Sequence, residues 1–311
     1  MSAPILTVTV NPAVDEAIAI DEFVLGGENR CRLDSLDAGG KGINASRVIR
    51  RLGRDTIALG FVGGMTGAMI RARLDEEQVQ HAFDDVTAMT RQNVMLYESR
   101  LGRRSRFYLP GADVDVARLG DLKVRLQNLQ PGAVVVLGGS LPPGLPPETY
   151  YDLVLWLRER GIRSIVDTSG EALRRVLAAK PALIKPNVAE ASDVLGRAIL
   201  GDNDALAAAR ELCAMGAESA VVSQGADGAI AAGADGCWKA TPPSVVARST
   251  VGSGDSMVAG LAIALNENAG VAEGLRLGTA AGAGTATTPA THLCRREDFE
   301  RLLPHVTVRS L

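Results

Sequence analysis

The chain has 311 residues, with 33 lysines and arginines against 36 acidic residues, so its formal net charge is −3. This length is enough to bury one large core or to form two domains. The near balance of charge provides no basic surface for a polyanion, so we expect no nucleic-acid partner.

The amino terminus and the cysteines indicate a cytoplasmic protein. Residues 1–4 lead into an apolar strand without the basic and apolar regions of a signal peptide. No apolar run reaches the roughly 20 residues of a membrane span, so we expect no membrane contact. The four cysteines are scattered and form no Cys-x-x-Cys pair, which favours free thiols in a reducing compartment.

The first 110 residues predict strands, a helix and a surface hairpin. Strands are predicted at 5–10 and 57–61, where β-branched and apolar residues dominate. Between them, Gly39-Gly-Lys-Gly42 precedes a predicted helix over 43–52. Residues 92–99 and 104–109 alternate less regularly around a glycine, which favours a hairpin at the surface.

From residue 133, apolar runs alternate with amphipathic helices. The predicted elements are strands 133–137, 163–166, 183–184 and 220–223, and helices 147–160, 171–178 and two that begin at Val188 and Asp204. This alternation is typical of a parallel sheet covered on both faces. Residues 228–247 predict antiparallel strands, and the chain from Gly254 is predicted to be mostly helical. One α/β domain over residues 1–311 follows from this pattern.

The segment Ser249-Thr-Val-Gly-Ser-Gly-Asp255 has the strongest chemical signal. Its glycines let the backbone approach an anion where a helix begins, and the free N–H groups and dipole of the helix favour that anion. Asp255 in the same turn can accept a proton from a hydroxyl while those N–H groups hold a transferring phosphoryl group. The alternative is an aspartate that only caps the helix.

Two further loops follow predicted strands. In Lys185-Pro-Asn-Val-Ala-Glu190, Asn187 and Glu190 have the spacing of a helix capping box. The functional interpretation is that both side chains organise Mg²⁺, which keeps most of its water and needs few oxygen ligands. Ser223-Gln-Gly-Ala-Asp-Gly228 either forms a plain turn or lines a nucleotide.

Three single residues have weaker signals. Lys41 adjoins a helix start and is a plausible anion contact. Asp15 follows a strand and is either a turn residue or a ligand contact. Ser140 belongs to an irregular strand exit over 138–144 and is expected to face a ligand.

Taken together, these segments resemble the ribokinase-like carbohydrate kinases, and within them the phosphofructokinase B group. The resemblance covers nearly the whole chain, in order, through 7–15, 39–44, 139–144, 167–172, 185–187 and 249–257. It implies a doubly wound, mostly parallel α/β sheet with a small β lid over the sugar. The lid is expected near residues 16–36 and 92–109, and lids of this kind imply a homodimer.

The resemblance also implies ATP, Mg²⁺ and a sugar phosphate as ligands. Asp255 is then the catalytic base, and the N–H groups of Gly252, Ser253 and Gly254 form the anion hole. The residues implied for the sugar phosphate are Asp15, Arg30, Gly39, Gly40, Lys41, Asn44, Arg91, Arg106 and Ser140. Those implied for ATP are Lys185, Asn187, Ser223, Gly225 and Gly228, and those implied for Mg²⁺ are Asn187 and Glu190.

Different segments of the chain indicate different sugar phosphates as the acceptor of the phosphoryl group. Residues 90–93, 106–112 and 291–294 are most similar to a minor bacterial 6-phosphofructokinase of the group, whereas 26–30 and 39–42 look like 1-phosphofructokinase. That 6-phosphofructokinase typically has glycine where this chain has Lys41. We expect fructose 6-phosphate, with 1-phosphofructokinase and tagatose-6-phosphate kinase activities as the alternatives.

Two other classes of protein fit the sequence less well. A non-catalytic sugar-phosphate sensor does not need the intact Asp255, Asn187 and Glu190 that this chain has. A dinucleotide-binding oxidoreductase is disfavoured because the first strand is not followed by G-x-G-x-x-G.

Overall fold

The computed structural model describes residues 3–311, which form fourteen β-strands and ten α-helices. The strands are β1 (Ile5–Thr9), β2 (Ala13–Ile20), β3 (Arg32–Gly39), β4 (Thr56–Val62), β5 (Gln80–Asp85), β6 (Arg91–Glu98), β7 (Arg103–Tyr108), β8 (Val134–Gly138), β9 (Arg163–Asp167), β10 (Leu183–Ile184), β11 (Ser219–Ser223), β12 (Ala229–Gly233), β13 (Gly236–Thr241) and β14 (Thr307–Ser310). The helices are α1 (Lys41–Arg51), α2 (Gly64–Glu76), α3 (Leu119–Leu126), α4 (Thr149–Arg158), α5 (Gly170–Val176), α6 (Val188–Leu195), α7 (Gly201–Ala214), α8 (Ser253–Asn266), α9 (Gly270–Ala286) and α10 (Arg296–Leu302). Within this described range, no helix is both long and apolar enough to cross a bilayer.

Ten of these strands form one large sheet in the order β14-β13-β12-β11-β10-β9-β8-β1-β4-β5. The seven strands from β11 to β5 are parallel, and β12, β13 and β14 are antiparallel at one edge. The prediction of a doubly wound, mostly parallel sheet is therefore confirmed.

Strand β8 shows why the parallel strands have continuous runs of apolar residues in the sequence. Successive side chains of a strand point to opposite faces of the sheet. Val135 and Leu137 enter the core beneath α3 to α7, whereas Val134 and Val136 enter the core beneath α1, α8 and α9. Both faces of the strand are buried, so neither tolerates a polar side chain.

The remaining four strands form a second sheet in the order β3-β2-β6-β7, which we call the lid sheet. Its strands lie in or beside the two segments predicted for the lid, and β6 and β7 form the predicted hairpin. The base of the lid sheet packs on α1 and α2 through a separate apolar cluster that includes Val14, Ala38, Ile43 and Ile70.

A buried guanidinium fastens the lid sheet to the body. Arg47 of α1 is only 3% exposed and donates to the Ala38 carbonyl oxygen at 2.8 Å and to Asp37 Oδ1 at 3.1 Å, both on β3. It also donates to Glu77, at the end of α2, at 2.6 and 2.9 Å. Asp37 accepts a further bond from the hydroxyl of Thr291, after α9. A buried cation persists only when it is paired in this way.

Several elements differ from the sequence-based predictions. No element was predicted over 64–85, where α2 and β5 lie, because Gly64 and Gly67 interrupt the apolar pattern of α2. The helix predicted to begin at Asp204 begins at Gly201. The antiparallel strands predicted over 228–247 end at Thr241. Strand β14 was not predicted, because a short exposed edge strand has little apolar periodicity.

The helices α8 and α9 touch through their backbones. A Cβ added to Gly260 of α8 would lie 2.3 Å from the main-chain nitrogen of Gly278 in α9. No side chain fits there unless one helix moves. Since α8 begins two residues before Asp255, this contact holds the start of α8 in place relative to the core.

Replacing Gly260 by alanine should destabilise the fold by about 1–3 kcal/mol, because the new methyl group overpacks a backbone contact. Denaturant unfolding measures the change. Gly120→Ala in α3 is the matched control: its added Cβ meets nothing within 4 Å, so stability should stay the same or rise by up to about 1 kcal/mol. Equal stability of Gly260→Ala and the parent would contradict the contact.

Candidate active site

The carboxyl ends of the parallel strands open into a cavity of about 690 Å³, which we call the sheet-edge cavity. It collects residues from loops that are far apart in sequence. The predicted site residues that line it are Lys41, Lys185, Asn187, Glu190, Ser223, Gly225, Gly228, Ser253, Gly254 and Asp255. All the residues predicted for ATP and Mg²⁺ are thus brought together in one place.

Asp255 lies in the first turn of α8, as the sequence predicted. The preceding Gly252 has φ 78°, a left-handed conformation that lets the chain turn abruptly into the helix. Within residues 3–311, the main-chain N–H groups of Gly252, Gly254 and Asp255 have no hydrogen-bond acceptor. Such groups at a helix start point out along its axis and favour an anion.

The environment of Asp255 makes its carboxylate a stronger base than an ordinary aspartate. Burial and the negative charge of Asp167 raise its pKa to about 6. The ammonium groups of Lys41 and Lys185 and a hydrogen bond from Asn44 Nδ2, 2.8 Å from Asp255 Oδ2, oppose this increase. A carboxylate with a pKa near neutrality is suited to general-base catalysis.

Asp167 is the centre of a buried ion network. Its side chain is 1% exposed, and Asp167 Oδ1 lies 2.8 Å from Lys41 Nζ and 3.5 Å from Lys185 Nζ. Burial alone would raise the pKa of Asp167, but the two ammonium groups outweigh it and hold that pKa below its usual range. Asp167 Oδ2 is buried and has no hydrogen-bond partner within the described residues.

Glu190 combines capping with a position in this network. Asn187 Oδ1 accepts from the Glu190 main-chain N–H, and Glu190 Oε2 accepts from the Asn187 N–H, both at 2.9 Å, so the capping box is present. The other oxygen, Oε1, lies 3.4 Å from Lys41 Nζ. Capping and ligand binding are therefore compatible for Glu190.

The donor set of the cavity fits a magnesium ion. Across residues 3–311 there is no cluster of three or more His, Cys, Asp or Glu residues that would encage a metal. Magnesium does not need such a cluster, because it keeps several waters and binds one or two carboxylates together with substrate phosphates. The unpartnered Oδ2 of Asp167 and the Oε1 of Glu190 are oxygens of this kind.

Two unpartnered hydroxyls also fit a polar ligand in the sheet-edge cavity. Ser253 Oγ and Thr279 Oγ1 are buried and have no hydrogen-bond partner among the described residues. Both residues line the cavity, where α9 adds the small residues Gly282 and Ala283. A buried hydroxyl without a partner is costly unless a ligand or water satisfies it.

Asp15 lies on the lid sheet and faces the start of α1. Its Oδ1 accepts from Asn93 Nδ2 at 2.8 Å, and burial raises its pKa. A Cβ on Gly39 would lie 2.1 Å from Asp15 Oδ2, so the glycine allows this carboxylate to contact the backbone. Gly40 is the N-cap of α1, and Asn44 on the same helix contacts Asp255.

The four predicted phosphate-binding cations do not form one cluster. Arg91 donates to the main-chain oxygens of Asn11, Pro12 and Leu109. The side chain of Asn11 donates to Ser140 Oγ at 3.1 Å. Arg91 and Ser140 therefore both contact Asn11.

Lys41 lies elsewhere, because its ammonium is attracted by Asp167 and Glu190 in the sheet-edge cavity. Contact of Lys41 with the sugar phosphate stays a prediction, and in this structure its ammonium is held by the two carboxylates. Arg30 is exposed in the loop between β2 and β3 and does not line the sheet-edge cavity.

Arg106 lines a second cavity of about 410 Å³ between the lid sheet and residues 247–251, which we call the lid cavity. Arg104 and Arg248 line it too, and neither was predicted to belong to a site. Arg104 donates to the Arg248 carbonyl oxygen at 2.5 Å, which joins the lid sheet to the loop before Asp255.

Asp167 was also missed as a site residue. A signal for it was present, because Asp167 directly follows the predicted strand 163–166 and ends the observed strand β9. The carboxyl ends of such strands are where ligands bind in open α/β sheets.

Comparison with known proteins identifies the family. The model of the pfkB family carbohydrate kinases matches residues 8–298. The chain is 35% identical to ATP-dependent 6-phosphofructokinase isozyme 2 of Escherichia coli, over 97% of this chain and 99% of that protein. It is 36% identical to 1-phosphofructokinase of Bacillus subtilis, over 99% of this chain and 100% of that protein.

A solved structure shows the same fold. The crystal structure of phosphofructokinase-2 from Escherichia coli in complex with fructose-6-phosphate superposes with a TM-score of 0.91 at 34% identity, over 98% of this chain and 99% of that one. The ribokinase-like fold and the phosphotransferase class, with a hydroxyl group as acceptor, are therefore confirmed. The chain belongs to the pfkB family of carbohydrate kinases and is a sugar kinase of the phosphofructokinase type.

Proposed function

We propose that the protein transfers the γ-phosphoryl group of ATP to fructose 6-phosphate and forms fructose 1,6-bisphosphate. The observation that carries this proposal is the position of Asp255. Its carboxylate lies at the start of α8, where the N–H groups of Gly252, Gly254 and Asp255 have no acceptor among the described residues, and it accepts a hydrogen bond from Asn44 of α1. One carboxylate thus lines the sheet-edge cavity and is hydrogen-bonded to α1, the helix that follows strand β3 of the lid sheet.

The reaction needs a base, a phosphoryl-binding group and charge neutralisation. Asp255 would take the proton of the attacking hydroxyl, and the free N–H groups of Gly252 and Gly254 would hold the transferring phosphoryl group. The third predicted donor, the Ser253 N–H, already donates to the Thr250 carbonyl oxygen at 3.3 Å. Asp167 and Glu190 would hold Mg²⁺ through water or directly, with Asn187 keeping Glu190 in place through the capping box. Sugar kinases of this family use ATP, usually with Mg²⁺, and the ion supplies positive charge to the phosphates.

The acceptor is proposed to be phosphorylated already. Arg91 and Ser140 meet around Asn11 at one end of the lid sheet, and Arg106 lies with Arg104 and Arg248 in the lid cavity. Guanidinium groups suit phosphate oxygens because of their planar, bidentate geometry. The Escherichia coli structure with fructose-6-phosphate favours the 6-phosphate as the acceptor.

The similar identity to 1-phosphofructokinase keeps fructose 1-phosphate as the second candidate. An ADP-release assay with fructose 6-phosphate, fructose 1-phosphate, tagatose 6-phosphate and fructose decides among the acceptors. A protein that bound these compounds without turnover would be a sugar-phosphate sensor instead.

We further propose a cytoplasmic homodimer that forms through the lid sheet. Exposed large apolar side chains are frequent there and in its loops. They include Phe23, Val24, Leu25, Leu33, Leu101, Phe107 and Tyr108. Large apolar side chains exposed together on a monomer mark a protein–protein interface, which supports a dimer that buries them.

Asp255→Asn should lower kcat about 10²–10⁴-fold, because the amide cannot accept the hydroxyl proton. The fold and the binding of ATP and sugar phosphate should persist, since the two side chains have nearly the same shape. Steady-state kinetics and equilibrium ligand binding measure both quantities. A variant with near-normal kcat would show that Asp255 is not the base; the structure shows no capping bond from its side chain, since the N-cap of α8 is Gly252.

The activity should fall on acidification through a pH of about 6, because Asp255 must be ionised to act and its pKa is raised to about 6. Below that pH, log kcat/KM should decrease by about one per pH unit. Asn44→Ala removes a hydrogen bond that stabilises the carboxylate, so the acidic limb should move to higher pH. Asn93→Ala is the control, because Asn93 contacts Asp15 and should leave the limb unmoved. A parent profile that stays flat down to pH 5 would contradict the assignment.

Arg91→Ala should raise the KM for the sugar phosphate roughly 10- to 100-fold, because a charge-assisted hydrogen bond contributes ~1.5–3 kcal/mol. The KM for ATP should change far less, and plain fructose should be a poor substrate for both forms. The KM of Arg106→Ala for the sugar phosphate tests separately whether the lid cavity binds the phosphate group. If both variants treat fructose and its phosphates alike, the phosphosugar assignment fails and a general sugar kinase replaces it.

A further inference from the structure

We infer that Lys41 is an internal cation that competes with the divalent metal for the carboxylates of Asp167 and Glu190, so that the metal enters with the nucleotide and not before it. The inference rests on the proposed metal role of these two carboxylates. It concerns the free enzyme, however, and its test does not depend on which sugar is phosphorylated.

The geometry places one ammonium group between the two carboxylates. Lys41 Nζ is 2.8 Å from Asp167 Oδ1 and 3.4 Å from Glu190 Oε1. Lys41 is the first residue of α1, and its Cβ packs near Gly138 at the end of β8, so its side chain starts from a fixed point. The ammonium reaches across the sheet edge to residues 126 and 149 positions away in sequence.

The two lysines offset most of the negative charge of the network. Asp167 and Glu190 contribute two negative charges and Lys41 and Lys185 two positive charges, with Lys185 Nζ 3.5 Å from Asp167 Oδ1, and Asp255 adds a negative charge when it is ionised. A dication that approached the carboxylates of Asp167 and Glu190 would therefore meet little net negative charge and an ammonium in direct contact with both. Two cations at such distances repel strongly in a partly buried site.

The nucleotide changes this balance. Its phosphate groups bring several negative charges into the sheet-edge cavity, which Gly254 and Asp255 also line. The added negative charge offsets the repulsion between the metal and Lys41, and it gives the ammonium another anion to contact within the same cavity. Metal and nucleotide therefore favour each other's binding, and this coupling is reciprocal.

Mn²⁺ binding to the nucleotide-free protein tests the inference, measured by electron paramagnetic resonance of free Mn²⁺ and by water-proton relaxation. The parent should bind Mn²⁺ weakly. Lys41→Met should bind it at least about tenfold more tightly, because the competing cation is gone while both carboxylates remain. Lys41→Arg keeps the charge and should stay near the parent. Lys123→Met, on α3 and outside both cavities, is the matched control and should match the parent.

Two further measurements locate the ion and the coupling. Adding Glu190→Gln to Lys41→Met should return the affinity to the weak range, since one of the two carboxylates is lost. With ADP present, the difference between the parent and Lys41→Met should shrink. Circular dichroism and thermal unfolding establish that each variant is folded, and Lys41→Gln repeats the test if Lys41→Met is not.

Equal Mn²⁺ affinity of the parent and Lys41→Met would overturn the inference. So would tight binding that survives Glu190→Gln, because the ion would then lie elsewhere, or a difference that ADP leaves unchanged. None of these results depends on turnover. Loss of the proposed function would instead appear as no ADP release with any hexose phosphate, whatever the Mn²⁺ titration gave.

Discussion

The buried guanidinium of Arg47 sets the relation between the two sheets. Asn44 and Arg47 are three residues apart on α1, so they lie on neighbouring positions of one helix face. Asn44 contacts the carboxylate of Asp255, while Arg47 holds the main chain and Asp37 of β3. One turn of α1 therefore connects the proposed base to the lid sheet. The paired acids Asp37 and Glu77 are what make a buried arginine tolerable at this junction.

The second organising feature is the separation of charge on the two sides of Asp255. On one side, Asp167 and two lysines form a compact network at the sheet edge. On the other, the largely buried Asp15 and the exposed arginines Arg104 and Arg106 lie on the lid sheet. Burial is the largest cause of the raised pKa of Asp255; among its charged neighbours, Asp167 raises that pKa further and the two lysines lower it. The charges that act on the base therefore belong to the sheet-edge cavity.

Much of this arrangement was accessible from the sequence. The buried strands were readable because both faces of β8 are apolar, and Asp255 was found because its glycines and helix start fall within seven residues. The position of Lys41 was not readable, since its partners are 126 and 149 residues away and only the folded sheet brings them close. The same reason hid the contact between Arg104 and Arg248, which lie 144 residues apart. Local patterns report local geometry, and long-range ion pairs leave no such pattern.

The backbone contact between Gly260 and Gly278 has a consequence for how substrate preference diverges among such kinases. It leaves the start of α8, and with it the base, little freedom to adapt to a new acceptor. The lid arginines Arg104 and Arg106 are exposed and line the lid cavity, so their exchange disturbs no buried core. Evolutionary or laboratory change of the acceptor is therefore expected to accumulate in the lid sheet. The phosphoryl-transfer apparatus then stays the same in enzymes that act on different sugars.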